Sequence, residues 1–175
     1  REEEEALKRI RETSERIKRV VDDLHRRNKK STDDIKRRVD ELHKRNEKIV
    51  REVLDVIRRR GGEAEEVKEL VERLRRSVED SLREVTRLVE EDKRSVDESL
   101  DELRRLLKEN RDLVERLVDS EVLRELDRRT KELKRRADEL VTENRKLSKE
   151  LEDEIRRLAE RNRDAIRKID KAVKE

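Results

Sequence analysis

The side chains that could do acid–base, nucleophilic or metal chemistry are two histidines and a set of serines, threonines and asparagines. His25 and His43 are 18 residues apart, which is about 27 Å along one helix, so they cannot share a metal ion. Serine, histidine and aspartate together also suggest a nucleophilic triad, but a triad needs an oxyanion site inside a pocket. The sequence offers no glycine-rich loop to build that pocket. We therefore predict no enzymatic activity, no metal site and no cofactor.

Composition argues against several other functions. Charged residues make up 58% of the 175 residues and hydrophobic residues 30%, while proline, cysteine and the aromatic residues Phe, Trp and Tyr are absent. The 52 basic and 49 acidic residues are interspersed, without the one-sided basic face and stacking aromatics of nucleic-acid binding. No apolar run is long enough for a membrane span or a signal-peptide core. We expect a soluble protein without a targeting signal, suited to recombinant cytoplasmic expression, that binds no nucleic acid, membrane or small-molecule substrate.

Helix-breaking residues and charge divide the chain into thirds. Gly61 and Gly62 are the only glycines; arginines precede them and glutamates follow, as expected where one helix ends and another begins. The pair Asp119 and Ser120 supplies N-cap residue types for a third helix. We predict one all-α domain, residues 1–175, folded as an up-down-up bundle of long antiparallel helices. The predicted helices span about residues 1–60, 63–118 and 120–175.

An 18-residue repeat runs through each predicted helix. In the second helix, residues 76–82 read Arg-Ser-Val-Glu-Asp-Ser-Leu and recur at 94–100 with only Glu and Asp exchanged. In the first helix, Leu-His-Arg-Arg-Asn at 24–28 recurs at 42–46 as Leu-His-Lys-Arg-Asn. Eighteen residues are five turns at 3.6 residues per turn, so the apolar stripe keeps one azimuth. The repeat predicts nearly straight helices rather than a left-handed coiled coil, which has a seven-residue repeat.

Short polar residues interrupt the apolar stripes at matching heights. Antiparallel folding places residues level where their numbers sum to about 123 in helices one and two, and to about 239 in helices two and three. One kind of predicted polar layer contains His25, Asn28, Ser95, Ser99 and Asn144, and its copy contains His43, Asn46, Ser77, Ser81 and Asn162. The other kind joins Ser31 or Thr32 with Asp92 and Ser148, and Thr13 or Ser14 with Asn110 and Thr130. Because buried polar groups are costly unless paired, each layer is predicted to be a hydrogen-bond network that fixes register, unless its residues face water.

The copied repeat, the matched polar layers, the Gly-Gly connection and the restricted set of residue types together resemble de novo designed helical bundles with modular buried hydrogen-bond networks. The resemblance covers the whole chain and implies a scaffold or an assembly component, without catalytic residues. Two functions stay open. One is a rigid structural scaffold, and the other is an interaction module that pairs with a further helix or with copies of itself. An apolar stripe roughly 120° to 140° wide suits either a three-helix or a four-helix core.

The histidines add a hypothesis of pH sensitivity. If His25 and His43 were buried and neutral, protonation would oppose folding, and stability would fall as the pH dropped into the range where a free histidine gains its proton. Both residues lie at the outer flank of the apolar stripe of the first helix, so exposure to water is the alternative. Exposed histidines would give no such response.

Overall fold

The fold consists of three long α-helices. The computed structural model describes residues 2–117 and 120–175, apart from the side chains of residues 120 and 122. The helices are α1 (Glu2–Arg60), α2 (Glu65–Glu115) and α3 (Ser120–Lys174), and the described residues contain no strand. The all-α, three-helix prediction is confirmed. α3 begins at Ser120, and Asp119, the other half of the predicted N-cap pair, lies outside the described residues.

The two glycines that connect α1 to α2 serve different purposes. Gly61 has a φ of 87°, in the left-handed region that residues with a Cβ rarely adopt, and its N–H donates to the carbonyl of Ile57 at 2.8 Å. It closes α1 as a C-terminal glycine does. Gly62 lies against the end of α3, where an added Cβ would be 2.8 Å from the carbonyl oxygen of Val173. The connection therefore requires one glycine for its backbone angle and the other for space.

We expect Gly62→Ala to lower the free energy of unfolding by about 1–2 kcal/mol, because the new methyl group would meet a backbone oxygen that cannot rotate away. Gly61→Ala should cost about 1 kcal/mol through backbone strain alone, since no atom lies within 4 Å of its added Cβ. Urea unfolding measures both costs, and amide NMR signals locate them. Only Gly62→Ala should shift the signals of the last turn of α3; equal shifts in both variants would contradict this account.

Both ends of α2 differ from the predicted range of 63–118. The helix begins at Glu65, and the carbonyl of Ala64 accepts the first bonds, from the N–H groups of Val67 and Lys68. Residues 61–64 are taken up by the glycine connection, which is why α2 starts later than predicted. At the other end, the N–H of Leu117 donates to the carbonyl three residues earlier at 3.1 Å. This short-range bond tightens the final turn beyond the end of the α-helix.

Contacts divide the chain into two compact units, each built from a segment of all three helices. Unit 1 comprises Arg1–Ser31 and Asp92–Ser148, and unit 2 comprises Thr32–Glu91 and Lys149–Glu175. Each unit thus contains its own three-helix core. That the two units form one domain stays a prediction.

Paired side chains show the direction of the helices within each unit. Between α1 and α2 the residue numbers of the partners change in opposite senses, whereas between α1 and α3 they change in the same sense. The α1–α2 examples are Arg9–Glu109 and Arg16–Glu102 in unit 1, and Arg38–Glu84 and Glu52–Arg73 in unit 2. The α1–α3 examples are Asp22–Arg136 and His25–Glu143 in unit 1, and Lys36–Glu150 and Asn46–Asn162 in unit 2. Within each unit α2 therefore runs antiparallel to α1, and α3 runs parallel to α1.

Leucine, isoleucine and valine from all three helices form the core of each unit. In unit 1 one cluster contains Ile17, Leu103 and Leu140, and in unit 2 the corresponding cluster contains residues from the same three helices, at positions 39, 85 and 158. Among the described residues, Val173 is the one large hydrophobic side chain that is exposed, at 38%. The other large hydrophobic side chains of the described part of the chain are buried or half-buried.

Candidate functional site: the buried polar layers

One predicted polar layer forms a hydrogen-bond network across all three helices of unit 2. We call this set the Asn46 layer, and its members are Asn46, Ser77, Ser81 and Asn162. Asn46 Nδ2 donates to Asn162 Oδ1 at 3.1 Å and to Ser81 Oγ at 3.5 Å. Asn46 Oδ1 accepts from the hydroxyl of Ser77 at 2.7 Å. One amide on α1 is thus bonded to both neighbouring helices.

Burial gives these hydrogen bonds their importance. Asn46 is only 2% exposed, and Ser81 is fully buried. Asn46 follows Leu42 by four residues and precedes Ile49 by three, so helical spacing places the amide within the apolar stripe. Apolar clusters lie on both sides of the layer. In such surroundings a hydrogen bond is stronger than in water, and an unpaired polar group is more costly.

The equivalent layer in unit 1 is differently bonded. This Asn28 layer comprises Asn28, Ser95, Ser99 and Asn144, each aligned with the Asn46 layer by an 18-residue step. Arg27 Nη2 donates to Ser95 Oγ at 2.6 Å, and Ser99 Oγ donates to the backbone carbonyl of Ser95 at 3.1 Å. Asn28 is 2% exposed, and its Nδ2 has no hydrogen-bond partner among the described residues. Asn144 is half-buried. The two copies of one sequence unit therefore differ on α1, where the amide of Asn46 is hydrogen-bonded and that of Asn28 is not. The Asn46 layer is itself incomplete, because Asn162 Nδ2 also has no hydrogen-bond partner among the described residues.

The histidines lie outside both networks. The His25 side chain is 62% exposed, and its Nδ1 lies 3.0 Å from Glu143 Oε2 on α3. His43 Nε2 lies 2.7 Å from Glu47 Oε1, one turn further along α1. Both rings project from the edge of α1 that faces α3, whereas the serines predicted to meet them, Ser99 and Ser81, lie on α2. The burial assumed by the pH hypothesis is therefore absent at His25.

The predicted layer of Ser31 or Thr32 with Asp92 and Ser148 is partly hydrogen-bonded in unit 1. Ser31 Oγ donates to Asp92 Oδ1 at 2.5 Å, which joins α1 to α2 as the height rule predicts. Ser148 is half-buried. Thr32, the alternative α1 member, is buried at 2% exposure and belongs to unit 2. Of the two α1 candidates, Ser31 is thus the one that contacts the aspartate.

The predicted layer of Thr13 or Ser14 with Asn110 and Thr130 joins α2 to α3 in unit 1. Asn110 Nδ2 donates to Thr130 Oγ1 at 3.1 Å, and Asn110 is fully buried. Its Oδ1 has no hydrogen-bond partner among the described residues. Thr13 is buried and Ser14 is half-buried on α1, but neither hydroxyl supplies a proton to that oxygen. This layer therefore links two helices instead of three.

A bidentate ion pair between α1 and α2 of unit 2 was not predicted. Arg38 donates from Nε and Nη2 to the two carboxylate oxygens of Glu84 at 2.9 and 3.1 Å, and from Nη1 to Glu41 at 3.1 Å. The hydrogen bonds from Arg38 lower the pKa of Glu84, and the same bonds raise the pKa of Arg38. The two residue numbers obey the height rule for α1 and α2. The height rule could therefore have identified the pair. However, residues of similar charge flank both positions, so the rule does not single out these two.

The Glu84 pair predicts an acid-sensitive contribution to stability. Because the folded pKa of Glu84 lies below its usual value of 4.5, the contribution is present above that value and is lost as the pH falls through the lower folded pKa. We expect Glu84→Gln to cost about 1 kcal/mol at pH 7 and almost nothing at pH 2.5, measured by urea unfolding. Glu91→Gln, which affects a pair within α2, is the control and should cost less. A cost for Glu84→Gln that is equal at both pH values would contradict the assignment.

The Asn46 layer can hold helices together, but neither of its serine hydroxyls is bonded to a group that would activate it. The hydroxyls of Ser77 and Ser81 donate to an amide oxygen and to a backbone carbonyl, neither of which removes a proton near neutral pH. In the described part of the chain no three histidine, aspartate or glutamate side chains are grouped to hold a metal ion. The helices described there also lack a stretch long and apolar enough to cross a membrane.

Comparison with known proteins supports the fold. No protein-family model and no curated protein matches the chain. A solved structure described as a computationally designed three helix bundle is similar with a TM-score of 0.54 and 18% sequence identity, over 99% of this chain and 82% of that one. This finding agrees with the resemblance to designed helical bundles that the repeat and the polar layers indicated. At this identity the likeness shows the fold, and the chain accordingly has the three-helix-bundle fold of that designed protein.

Proposed function

We propose that this chain is a designed structural scaffold, a three-helix bundle that catalyses no reaction and requires no partner, in which buried polar layers specify how the helices pair. The observation that carries the proposal is the Asn46 layer, where one buried amide is hydrogen-bonded to both other helices. The likeness to a computationally designed three helix bundle supports the same function.

The physical argument concerns alternative ways of packing the same stripes. Leucine and valine attract one another without regard to direction, so an apolar seam alone tolerates rotation of a helix about its axis. The Asn46 amide removes this tolerance, since a rotated helix would leave its buried donors and acceptor unpaired. The layer thus favours one arrangement among several of similar apolar burial.

The alternative function, pairing with a further helix or with copies of the chain, has less support. An interaction surface of that kind normally presents a contiguous apolar patch. Within the described residues, one large hydrophobic side chain is exposed, Val173 near the end of α3. A single exposed valine does not form such a patch.

Light scattering behind a sizing column, together with circular dichroism, tests the scaffold function against this alternative. The scaffold predicts a mass near the 21.3 kDa of one chain, high helicity and cooperative unfolding. Val173→Ser is the control variant and should leave the mass unchanged. A stable dimer, or a helical chain that unfolds without cooperativity until a partner is added, would favour the interaction module instead.

A further inference from the structure

A groove between α1 and α3 of unit 2 combines an apolar floor with a charged rim. Its volume is about 390 Å³, which is within the range of small-molecule sites. Val50, Leu54 and Ala165 form the floor. Val50 is nearly buried, whereas Leu54 and Ala165 are half-buried, so an alkyl chain laid along the groove would cover apolar surface that water now reaches.

The 18-residue repeat explains why the groove is present in this unit. Ala165 occupies the position that corresponds to Leu147 one repeat earlier, and Leu54 the position that corresponds to Lys36. A small residue on α3 therefore opens space, while an apolar residue on α1 replaces a lysine. Both changes make the surface between the helices more suitable for an apolar group.

The charges around the groove are not balanced. The rim also carries two carboxylates: Asp164 lies 4.0 Å from Arg167, and Glu47 lies 2.7 Å from His43, which carries a positive charge only when protonated. Three cations on the rim lack an ion-pair partner among the described residues. These cations are Arg51, Arg161 and Lys168. The three cations outnumber the two carboxylates, so the rim has an excess of positive charge beside an apolar floor.

A second groove between α1 and α3, in unit 1 and not equivalent to the first by the 18-residue step, provides a comparison. It is smaller, at about 210 Å³. Its cation Arg136 is paired with Asp22 at 2.8 Å, and His25 lies against Glu143. The lining of this groove contains one arginine and three carboxylates, Asp22, Glu139 and Glu143, so it has no excess of positive charge.

We propose that the α1–α3 groove of unit 2 binds a medium-chain alkyl carboxylate. The alkyl chain lies on Val50, Leu54 and Ala165, and the carboxylate is held by charge-assisted hydrogen bonds from Arg51, Arg161 and Lys168. An alkyl compound without a negative charge would use only the apolar floor. A small anion without an alkyl chain would use only the charged rim. This binding activity is separate from the scaffold function and does not depend on it.

Titration of the ¹⁵N-labelled full chain with octanoate, followed by two-dimensional NMR, tests the proposal. We expect saturable shifts at the amides of residues 47–54 and 161–168. Octylammonium, which has the chain with the opposite charge, and acetate, which has the charge without the chain, should bind at least tenfold more weakly. Equal binding of octanoate and octylammonium, or shifts spread over both units, would overturn the proposal.

Two variants separate the parts of the site. Ala165→Leu fills the groove with the residue that the repeat uses one unit earlier, and it should weaken octanoate binding at least tenfold. A variant with Arg51, Arg161 and Lys168 changed to glutamine keeps the groove and should weaken octanoate binding about tenfold while leaving 1-octanol binding unchanged. Arg136→Gln in the unit 1 groove is the control and should have no effect.

The same samples show whether a second copy of the chain occupies the groove. Light scattering of the parent and of Ala165→Leu should give the same mass. A dimeric parent with a monomeric Ala165→Leu variant would mean that another chain covers the groove, and the proposal would be wrong. Unchanged octanoate binding in both the filled-groove and the glutamine variants would overturn it equally.

Discussion

Replacing Asn46 with alanine is expected to lower the free energy of unfolding by about 3 kcal/mol. The change removes one buried side chain that makes three hydrogen bonds, each contributing roughly 1 kcal/mol, and leaves its buried partners unpaired. The carbonyl oxygen of the buried Asn162 and the hydroxyl of the half-buried Ser77 would lose their partner. Urea unfolding followed by circular dichroism measures the difference.

The 18-residue repeat supplies the matched control for this experiment. Asn28 occupies the equivalent position on the same helix at the same 2% exposure, but its amide nitrogen has no hydrogen-bond partner among the described residues. Asn28→Ala should therefore change the free energy of unfolding by less than about 1 kcal/mol. If the two alanine variants lose equal stability, the connected network contributes nothing beyond packing, and the account of the Asn46 layer is wrong.

The second large effect is an increase in stability. We expect Asn28→Leu to raise the free energy of unfolding by about 1–2 kcal/mol, because it replaces a buried unpaired donor with an apolar group of similar shape. Asn46→Leu should lower it, because the buried partners of Asn46 would remain without hydrogen bonds. Thermal and urea unfolding of both leucine variants test this difference in sign. A gain in stability from both changes would show that the Asn46 network is no better satisfied than the Asn28 layer.

Most of the fold could be predicted from the sequence because local and long-range signals agree. Gly61 and Gly62 mark the first connection by composition alone, and the 3.6-residue spacing of leucine and valine predicts amphipathic helices. The spacing does not predict the geometry of the connection between α1 and α2. The later start of α2, at Glu65, follows from the backbone angle of Gly61 and the close approach of Gly62 to α3, which are properties of packing.

The polar layers show where sequence reasoning stops. The height arithmetic places Asn46 level with Ser77 and Asn162, and the structure has these groups within hydrogen-bond distance. The same arithmetic treats Asn28 as equivalent, yet the long side chain of Arg27 reaches Ser95 first. Height depends only on residue number, whereas competition for a hydroxyl depends on the reach and rotamers of neighbouring side chains. The repeat therefore identifies the candidate residues without deciding which hydrogen bonds they form.

The histidines also show that the height of a residue alone does not predict which side chains it meets. His43 lies at the height of Ser81, but azimuth as well as height decides which side chains meet. Its ring lies at the edge of α1 that faces α3, and it is paired with Glu47 on its own helix. A helical wheel places His43 at the flank of the apolar stripe without showing which neighbouring helix covers that flank. The orientation of the third helix supplies this information, and it is a property of the fold.

The measurement that tests the central claim most directly is the distance distribution between spin labels on α1 and α3, recorded by pulsed electron paramagnetic resonance. Exposed positions at Lys44 and Glu160 in unit 2 are suitable for the labels. The parent should give one narrow distribution, and a variant with Asn46→Leu, Ser77→Ala and Asn162→Leu should give a broad or multiple one, because an apolar seam tolerates helix rotation. An equally narrow distribution in both proteins would mean that apolar packing and the short connections fix the arrangement without the polar layer.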